Sequence, residues 1–267
     1  MPLAVCATPI GNLEDVTLRV LKELTEADLV LCEDTRHTRG LLERHGIKAR
    51  LLSYHEHNEA KRTAELLPRL EAGERVALVS DAGLPGINDP GARLIAAARE
   101  VGVPVTVLPG PSAVETALVT SGLVSERYTF LGYLPRGERA LRELGEELER
   151  WPWAVVAFES PQRLPRSLAA LARVIPDRSA AVCRELTKRF EEVAVGTVAE
   201  LAARFAGAPK GEVTLVLGAA PVAGADERAA TDAVAELVAA GLPRRQAAEV
   251  VSGLTGVARN RLYRTSL

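Results

Sequence analysis

Apolar and polar positions along the first hundred residues follow two alternating rhythms. Short continuous apolar runs fall at residues 3–7, 28–32, 75–80 and 104–108. Runs of that length with no polar face predict parallel strands buried on both sides. Between them, residues 16–24, 38–45, 59–70 and 92–101 repeat apolar positions every three or four residues, which predicts amphipathic helices. A strand–helix rhythm of this kind predicts an α/β fold, a parallel sheet with helices on both faces.

The pattern then changes. Strands are predicted at 128–131, 154–158, 180–184, 192–195 and 212–217, with helices near 140–149, 163–174 and 198–206. The strands at 180–184 and 192–195 lie close enough to pair as a hairpin, so this block reads as a mixed-sheet α/β domain. The change of pattern sits near residues 119–126, around Ser121-Gly122-Leu123. The segment 219–225 reads as a linker. Three helical stretches follow, at 227–240, 244–252 and 257–263, and Gly253-Leu254-Thr255-Gly256 separates the last two. A small helix-turn-helix-like unit fits them. The expected division is therefore 1–120, 121–220 and 226–267, a two-domain fold with a helical extension.

Composition narrows the function. Of 267 residues, 47% are hydrophobic and 25% charged, enough apolar material for a core and too much for intrinsic disorder. No run approaches the roughly 18 apolar residues of a membrane helix. Residues 3–7 are too short for a signal peptide and read as a first strand. Cys6, Cys32 and Cys183 lie far apart inside apolar runs, as buried thiols of a reducing cytoplasm would. An aromatic content of 4% speaks against a base-stacking sheet of the RRM type. The formal charge is −2, but residues 241–267 carry five arginines against one glutamate, a net +4, leaving −6 elsewhere. Either a solvated helix face or a polyanionic partner explains such a tail.

Chemistry concentrates at the predicted strand ends. In an open parallel sheet, ligands bind beyond the carboxyl ends of the strands. Thr8-Pro9-Ile10-Gly11-Asn12-Leu13 follows the first strand and lacks both the three glycines of a dinucleotide fingerprint and the Gly-Lys-Ser/Thr of a P-loop. Residues 80–91 hold three glycines and two prolines. In that loop Asp81 can accept bonds from a ribose or an amine, and Asp89 can cap the next helix. Pro109-Gly110-Pro111-Ser112-Ala113 precedes another helix, with Ser112 as the expected N-cap. Three charged clusters stand beside these loops: residues 33–37, residues 53–59 and residues 184–189. His55-Glu56-His57 lacks the His-x₃-His spacing of a helical zinc site, so no metal is expected. Arg184-Glu185-Leu186-Thr187-Lys188-Arg189 offers cations for phosphates, or a solvated charged turn.

In combination these segments resemble a known family. Pro9-x-Gly11-x-x-x-Asp15-x-Thr17-Leu18-Arg19 is similar to the N-terminal motif of the tetrapyrrole methylase superfamily of S-adenosylmethionine (SAM) methyltransferases. Residues 7–13, 33–38, 53–59, 80–83, 109–113, 132–135, 159–161 and 184–188 resemble, in order, the ribosomal RNA small subunit methyltransferase I family. The tail from Gly241 onward looks like that family's helical C-terminal region. Leu84, Asn88 and Gln162 depart from its usual Thr, Ser and His.

The resemblance implies 2′-O-methylation of a cytidine ribose in small-subunit (16S) rRNA at the decoding centre, by a cytoplasmic homodimer using SAM. It implies cofactor contacts at Pro9, Asp81, Gly83, Leu84, Ile87, Ser112, Ala113 and Leu186. A ribose hydroxyl is a weak nucleophile that calls for a proton acceptor, and Lys188 is the expected base near it, poised by Glu185 or Asp34, with His55 or His57 as the alternative. Arg36, His37, Arg184, Arg244 and Arg245 would hold the RNA. Two other readings stay open: a methyltransferase acting on a small tetrapyrrole, and a non-catalytic RNA-binding assembly factor.

Overall fold

The computed structural model describes residues 2–220, 227–255, 257, 259, 262 and 263. The first half runs β1 (Leu3–Cys6), α1 (Leu18–Glu26), β2 (Leu29–Cys32), α2 (Thr35–Arg44), β3 (Leu51–Ser53), α3 (Glu59–Glu71), β4 (Val76–Val79), α4 (Ala92–Glu100), β5 (Val105–Leu108) and α5 (Ala113–Ser121). Its five strands form one parallel sheet in the order β3-β2-β4-β1-β5. The apolar runs are continuous because both faces are covered. Leu3 and Val5 join Leu66, Leu70 and Leu94 of α3 and α4 on one face. Ala4 and Cys6 face Val20, Leu24 and Leu42 of α1 and α2 on the other.

Helix starts differ by a few residues from the pattern, and caps explain the shift. Thr17 accepts from the Val20 amide and starts α1 at Leu18. Asp34 accepts from the Arg36 amide, so α2 begins at Thr35, ahead of its apolar stripe.

The second half continues β6 (Tyr128–Tyr133), α6 (Glu138–Leu148), β7 (Ala154–Glu159), α7 (Leu164–Ala172), β8 (Ser179–Arg184), β9 (Glu192–Thr197), α8 (Val198–Arg204) and β10 (Val213–Leu217). These strands form a mixed sheet, β6-β7-β10-β8-β9, in which only β6 and β7 run parallel. The expected hairpin is the antiparallel pair β8–β9. Helices α6, α7 and α8 cover one face. The other face is covered by α5, whose Val114, Ala117 and Leu118 pack on Val156, Ala181 and Val216. The sequence pattern breaks near 119–126, yet by packing α5 already lies on the second sheet.

Two helices close the described chain: α9 (Glu227–Ala239) and α10 (Arg244–Thr255). They share a small core of Ala230, Val234, Ala247, Ala248, Val251 and Leu262. The expected break after residue 252 is absent, because α10 continues through Gly253 to Thr255. Most of the proposed linker, residues 221–225, lies outside the described residues, as do positions 256, 258, 260 and 261 around the expected last helix.

One polar group anchors the second unit. Arg178 is 2% exposed, and its guanidinium donates to the carbonyls of Gly218 (2.8 Å), Trp151 (3.1 Å), Trp153 (3.3 Å) and Leu148. Burial brings its pKa down to about 10, still charged at neutral pH. Arg178→Met would leave these carbonyls without that donor. A loss of about 3 kcal/mol is expected, the upper end for buried acceptors left unpaired. Urea unfolding should show a lower midpoint at an unchanged slope.

Candidate active site

The parallel sheet has its switch point between β1 and β4. The chain leaves β1 toward β2 through α1 on one face and leaves β4 toward β5 through α4 on the other, and ligand space opens at the carboxyl ends of such a strand pair. They are tied at their roots, where the Thr8 amide donates to Gly83 (2.8 Å) and the Gly83 amide returns the bond (3.1 Å). A cavity of about 530 Å³ lies between this edge and the second sheet. That volume suits a ligand of nucleoside size or larger.

The far wall is built by a strained turn after β8. Glu185 and Thr187 both adopt positive φ, 52° and 64°. Such angles are costly, most of all for β-branched Thr187, and they cluster at functional sites. The turn aims Leu186 into the cavity between them. The loop after β1 docks directly on it: the Asn12 amide donates to Thr187 Oγ1 at 3.0 Å. Gly11 is required at this contact. A Cβ there would sit 2.5 Å from Lys188 Cγ and 2.9 Å from the Leu186 carbonyl.

The expected base, Lys188, is held by two carboxylates. Lys188 Nζ lies 2.7 Å from Glu212 Oε2 and 3.0 Å from Glu185 Oε1. Partial burial alone would lower its pKa, but the bonds to Glu212 and Glu185 outweigh it and hold the ammonium above the ordinary lysine value. A base must be neutral, and in this arrangement Lys188 stands as a paired cation. Glu185 accepts the Glu212 amide and then Lys188, which keeps its carboxyl below the usual range. Asp34 is held well below that range by hydrogen bonds from the Arg36 guanidinium and amide. Neither carboxylate is poised to take a proton.

The RNA-holding residues fall into separate places. Arg184 is spent inside the fold, on Glu192 (2.8 Å) and the Lys210 carbonyl (2.9 Å), and is corrected to a hairpin clamp. Arg36 is exposed but paired with Asp34, and His37 is exposed beside it on α2. Arg244 and Arg245 open α10, in the separate helical core. Of the alternative bases, His55 Nε2 lies 3.1 Å from Nδ2 of the Asn58 side chain, and neither His55 nor His57 lines the cavity.

The family model for Tetrapyrrole (Corrin/Porphyrin) Methylases matches residues 2–202. "Ribosomal RNA small subunit methyltransferase I" of Mesorhizobium japonicum is 46% identical over 99% of this chain and 91% of that protein. The protein of the same name in Escherichia coli O157:H7 is 40% identical over 99% of this chain and 94% of its own. The chain belongs to the ribosomal RNA small subunit methyltransferase I family, within the tetrapyrrole methylases. Solved structures agree on the fold. The methyltransferase CobJ superposes with a TM-score of 0.63 at 19% identity, covering 82% of this chain and 94% of that one. Uroporphyrin-III C-methyl transferase from Thermus thermophilus, complexed with S-adenyl homocysteine, gives 0.58 at 19%, covering 81% and 96%.

Within this family fold, the residues expected to touch the cofactor are brought together. Asp81, Gly83, Leu84, Ile87, Ser112, Ala113 and Leu186 all line the cavity. Pro9 does not; it is buried, and its neighbour Ile10 lines the cavity instead. Two capping expectations are corrected. Ser112 occupies the N-cap of α5, but its hydroxyl bonds to the Glu115 carboxylate and not to the backbone. Asp89 caps nothing: Gly91 is the N-cap of α4, and Asp89 turns into the cavity.

Sequence reading missed an aromatic wall. Phe130 and Tyr133 of β6 meet Phe158 of β7 edge to face, with ring centres 5.0 and 5.7 Å apart. It also missed the Glu115–Tyr128 bond of 2.6 Å at the rim. The available signal was Gly132-Tyr133-Leu134-Pro135, whose Gly132 adopts φ +69° at a bulge in β6.

Gly11→Ala should cost about 1–3 kcal/mol, as overpacking does, because the Cβ meets backbone as well as side chain. Thermal melting checks this. A variant as stable as the parent would show that the β1 loop does not depend on that close approach.

Proposed function

We propose that the protein transfers the methyl group of SAM to the 2′-hydroxyl of a cytidine ribose in small-subunit rRNA, at the decoding centre. The observation that carries this reading is coverage. Relatives named for rRNA methylation match 99% of this chain, helical tail included. The tetrapyrrole-related neighbours leave about a fifth of it unmatched. A small tetrapyrrole acceptor would give the arginine-bearing tail no evident task. A non-catalytic assembly factor would not need a cavity built from strained backbone.

The cavity residues fit SAM. The volume is adequate. Asp81 supplies a carboxylate for a ribose hydroxyl or the amino group, although one of its oxygens already accepts the Asp34 amide at 3.1 Å. Ile10, Leu84 and Leu186 supply apolar surface. Leu84 stands where the family usually has Thr, and backbone contact tolerates that exchange. Gly110 lets its loop lie close on the first strand; a Cβ there would be 2.9 Å from Ala7 Cβ.

Bound SAM supplies a methyl group already activated on a sulfonium. The protein is left with alignment, exclusion of water and care of one proton. Tyr133 lines the cavity yet is 62% exposed, so its ring offers a stacking face to an unstacked cytosine. Arg244 and Arg245 supply phosphate contacts away from the cavity. Among the described residues, no helix is long and apolar enough to cross a membrane. A cytoplasmic location and a homodimer belong to the same proposal.

The test is direct. Unmodified small subunits are incubated with methyl-labelled SAM, the RNA is digested, and the label is located by mass spectrometry. Label on one cytidine ribose is expected; label only on small molecules would favour the tetrapyrrole reading.

Two variants check the RNA contacts. Tyr133→Ala should raise KM for the subunit roughly tenfold, as loss of one base stack of ~1–3 kcal/mol does. SAM affinity should stay constant in calorimetry. Arg244→Ala combined with Arg245→Ala should reduce the slope of log affinity against log salt by about 2. An unchanged slope would remove the tail from the RNA interface.

A further inference from the structure

Methyl transfer to a ribose calls for a proton acceptor. A ribose hydroxyl is a weak nucleophile, and Lys188, Glu185 and Asp34 are locked in ion pairs. We propose that Asp89 is the proton acceptor for the substrate hydroxyl, its carboxylate held in the cavity by the special backbone on either side of it. The proposal rests on the function given above and adds a residue to it.

Other carboxylates lining the cavity are already engaged by hydrogen-bond or ion-pair partners. Glu159 is 2% exposed and takes Arg163, Ser167 and the Ser160 amide. Glu212 binds Lys188. Glu115 takes the Ser112 and Tyr128 hydroxyls, which outweigh its burial and keep it below the usual carboxyl range. Asp81 accepts the Asp34 amide. Asp89 differs from all of these. It faces the carboxylates Glu33 and Asp81, the Ser80 hydroxyl and the Tyr133 phenol.

The backbone fixes where that carboxylate can be. Asn88, just before it, adopts φ +60°, and Gly91, two residues after, adopts φ +139°. Gly91 presses on β4 so tightly that a Cβ would lie 2.8 Å from Leu78 Cδ2. On the other side the Asn88 side chain packs against Gly132 of β6, where a Cβ would lie 2.8 Å from its Oδ1. The loop is thus pinned to both sheets. Strain of this kind persists only where surrounding structure enforces it, and it collects at sites that must aim a side chain. The pinned side chain shares the cavity with Tyr133, the exposed ring assigned to the nucleobase.

The electrostatics suit the task. Burial, with help from Glu33 and Asp81, pushes the Asp89 carboxyl up to about 6, against the Ser80 hydrogen bond that pulls it down. A carboxylate near 6 is ionised at neutral pH yet takes a proton far more readily than one near 4. In the step, the ribose oxygen forms a bond to the methyl carbon as the carbon–sulfur bond breaks. The sulfur keeps the electron pair and becomes a neutral thioether. The hydroxyl proton passes to Asp89 and later to water.

The sign of the pH dependence follows. Below pH 6 Asp89 is protonated and cannot accept, so the single-turnover rate should fall about tenfold per pH unit; above 6 it should level off. Stability runs the other way. A folded-state value raised above the unfolded one favours the fold when Asp89 is protonated, and that advantage is lost as pH rises through 6. Asp89→Asn should therefore melt no lower than the parent at pH 7.

The test uses the full chain, small subunits and labelled SAM. Asp89→Asn should lose at least a hundredfold in single-turnover rate. It should bind SAM within threefold of the parent by calorimetry and lose the acidic limb of the pH profile. Carboxyl-¹³C aspartate NMR of the ligand-free protein should show one resonance titrating near 6 that is missing from Asp89→Asn. Ribose label from the parent, with a variant rate within tenfold and the acidic limb intact, overturns the proposal alone. So does SAM binding weakened in proportion to the rate, or no resonance titrating near 6. Absence of ribose label from the parent overturns the function and the proposal together.

Discussion

The arrangement depends on one close approach: the loop after β1 laid against the turn after β8. Gly11 permits it, and the Asn12–Thr187 bond registers it. Without that contact the two sheets would each keep a core, but the cavity would lose the wall that the turn after β8 supplies. The turn carries its share of the cost in Glu185 and Thr187, both at positive φ. The Glu185–Lys188–Glu212 ion pairs then stabilise the conformation that the backbone disfavours. Lys188 is thus best understood as part of the support for the cavity wall.

Charge in this site is divided by function. The cationic groups near the second sheet, Arg163, Arg184 and Lys188, are each matched to a carboxylate. The carboxylates at the end of the parallel sheet, Glu33, Asp81 and Asp89, crowd one another. Pairing on one side fixes geometry, and crowding on the other tunes a proton affinity.

Much of this was legible in the sequence, and the limits are physical. The parallel sheet could be read because strands covered on both faces must be apolar throughout. The cavity-lining loops could be read because Gly and Pro sit where strands end. What could not be read was pairing across long separations. Nothing near Lys188 announces Glu212, and nothing near Asp89 announces Glu33. Asp89 looked like a helix cap because Asp before Pro-Gly commonly is one; the positive φ at Asn88 and Gly91 turned it elsewhere. The aromatic wall was hidden by number: four phenylalanines and four tyrosines in the chain give no hint that three of the rings meet. The division at 119–126 followed the loop, whereas the packing follows α5.

That last point sets the mechanics of the cleft. The first residues of α5 form cavity wall, while its body is embedded in the second sheet. The helix therefore travels with the second sheet and cannot act as a hinge. Any change in cleft width must be absorbed before it, in Pro109-Gly110-Pro111, where two prolines restrict rotation and Gly110 lies hard against Ala7. The joint is stiff by construction, so the gap between the two halves is a built-in gauge, set before any ligand arrives.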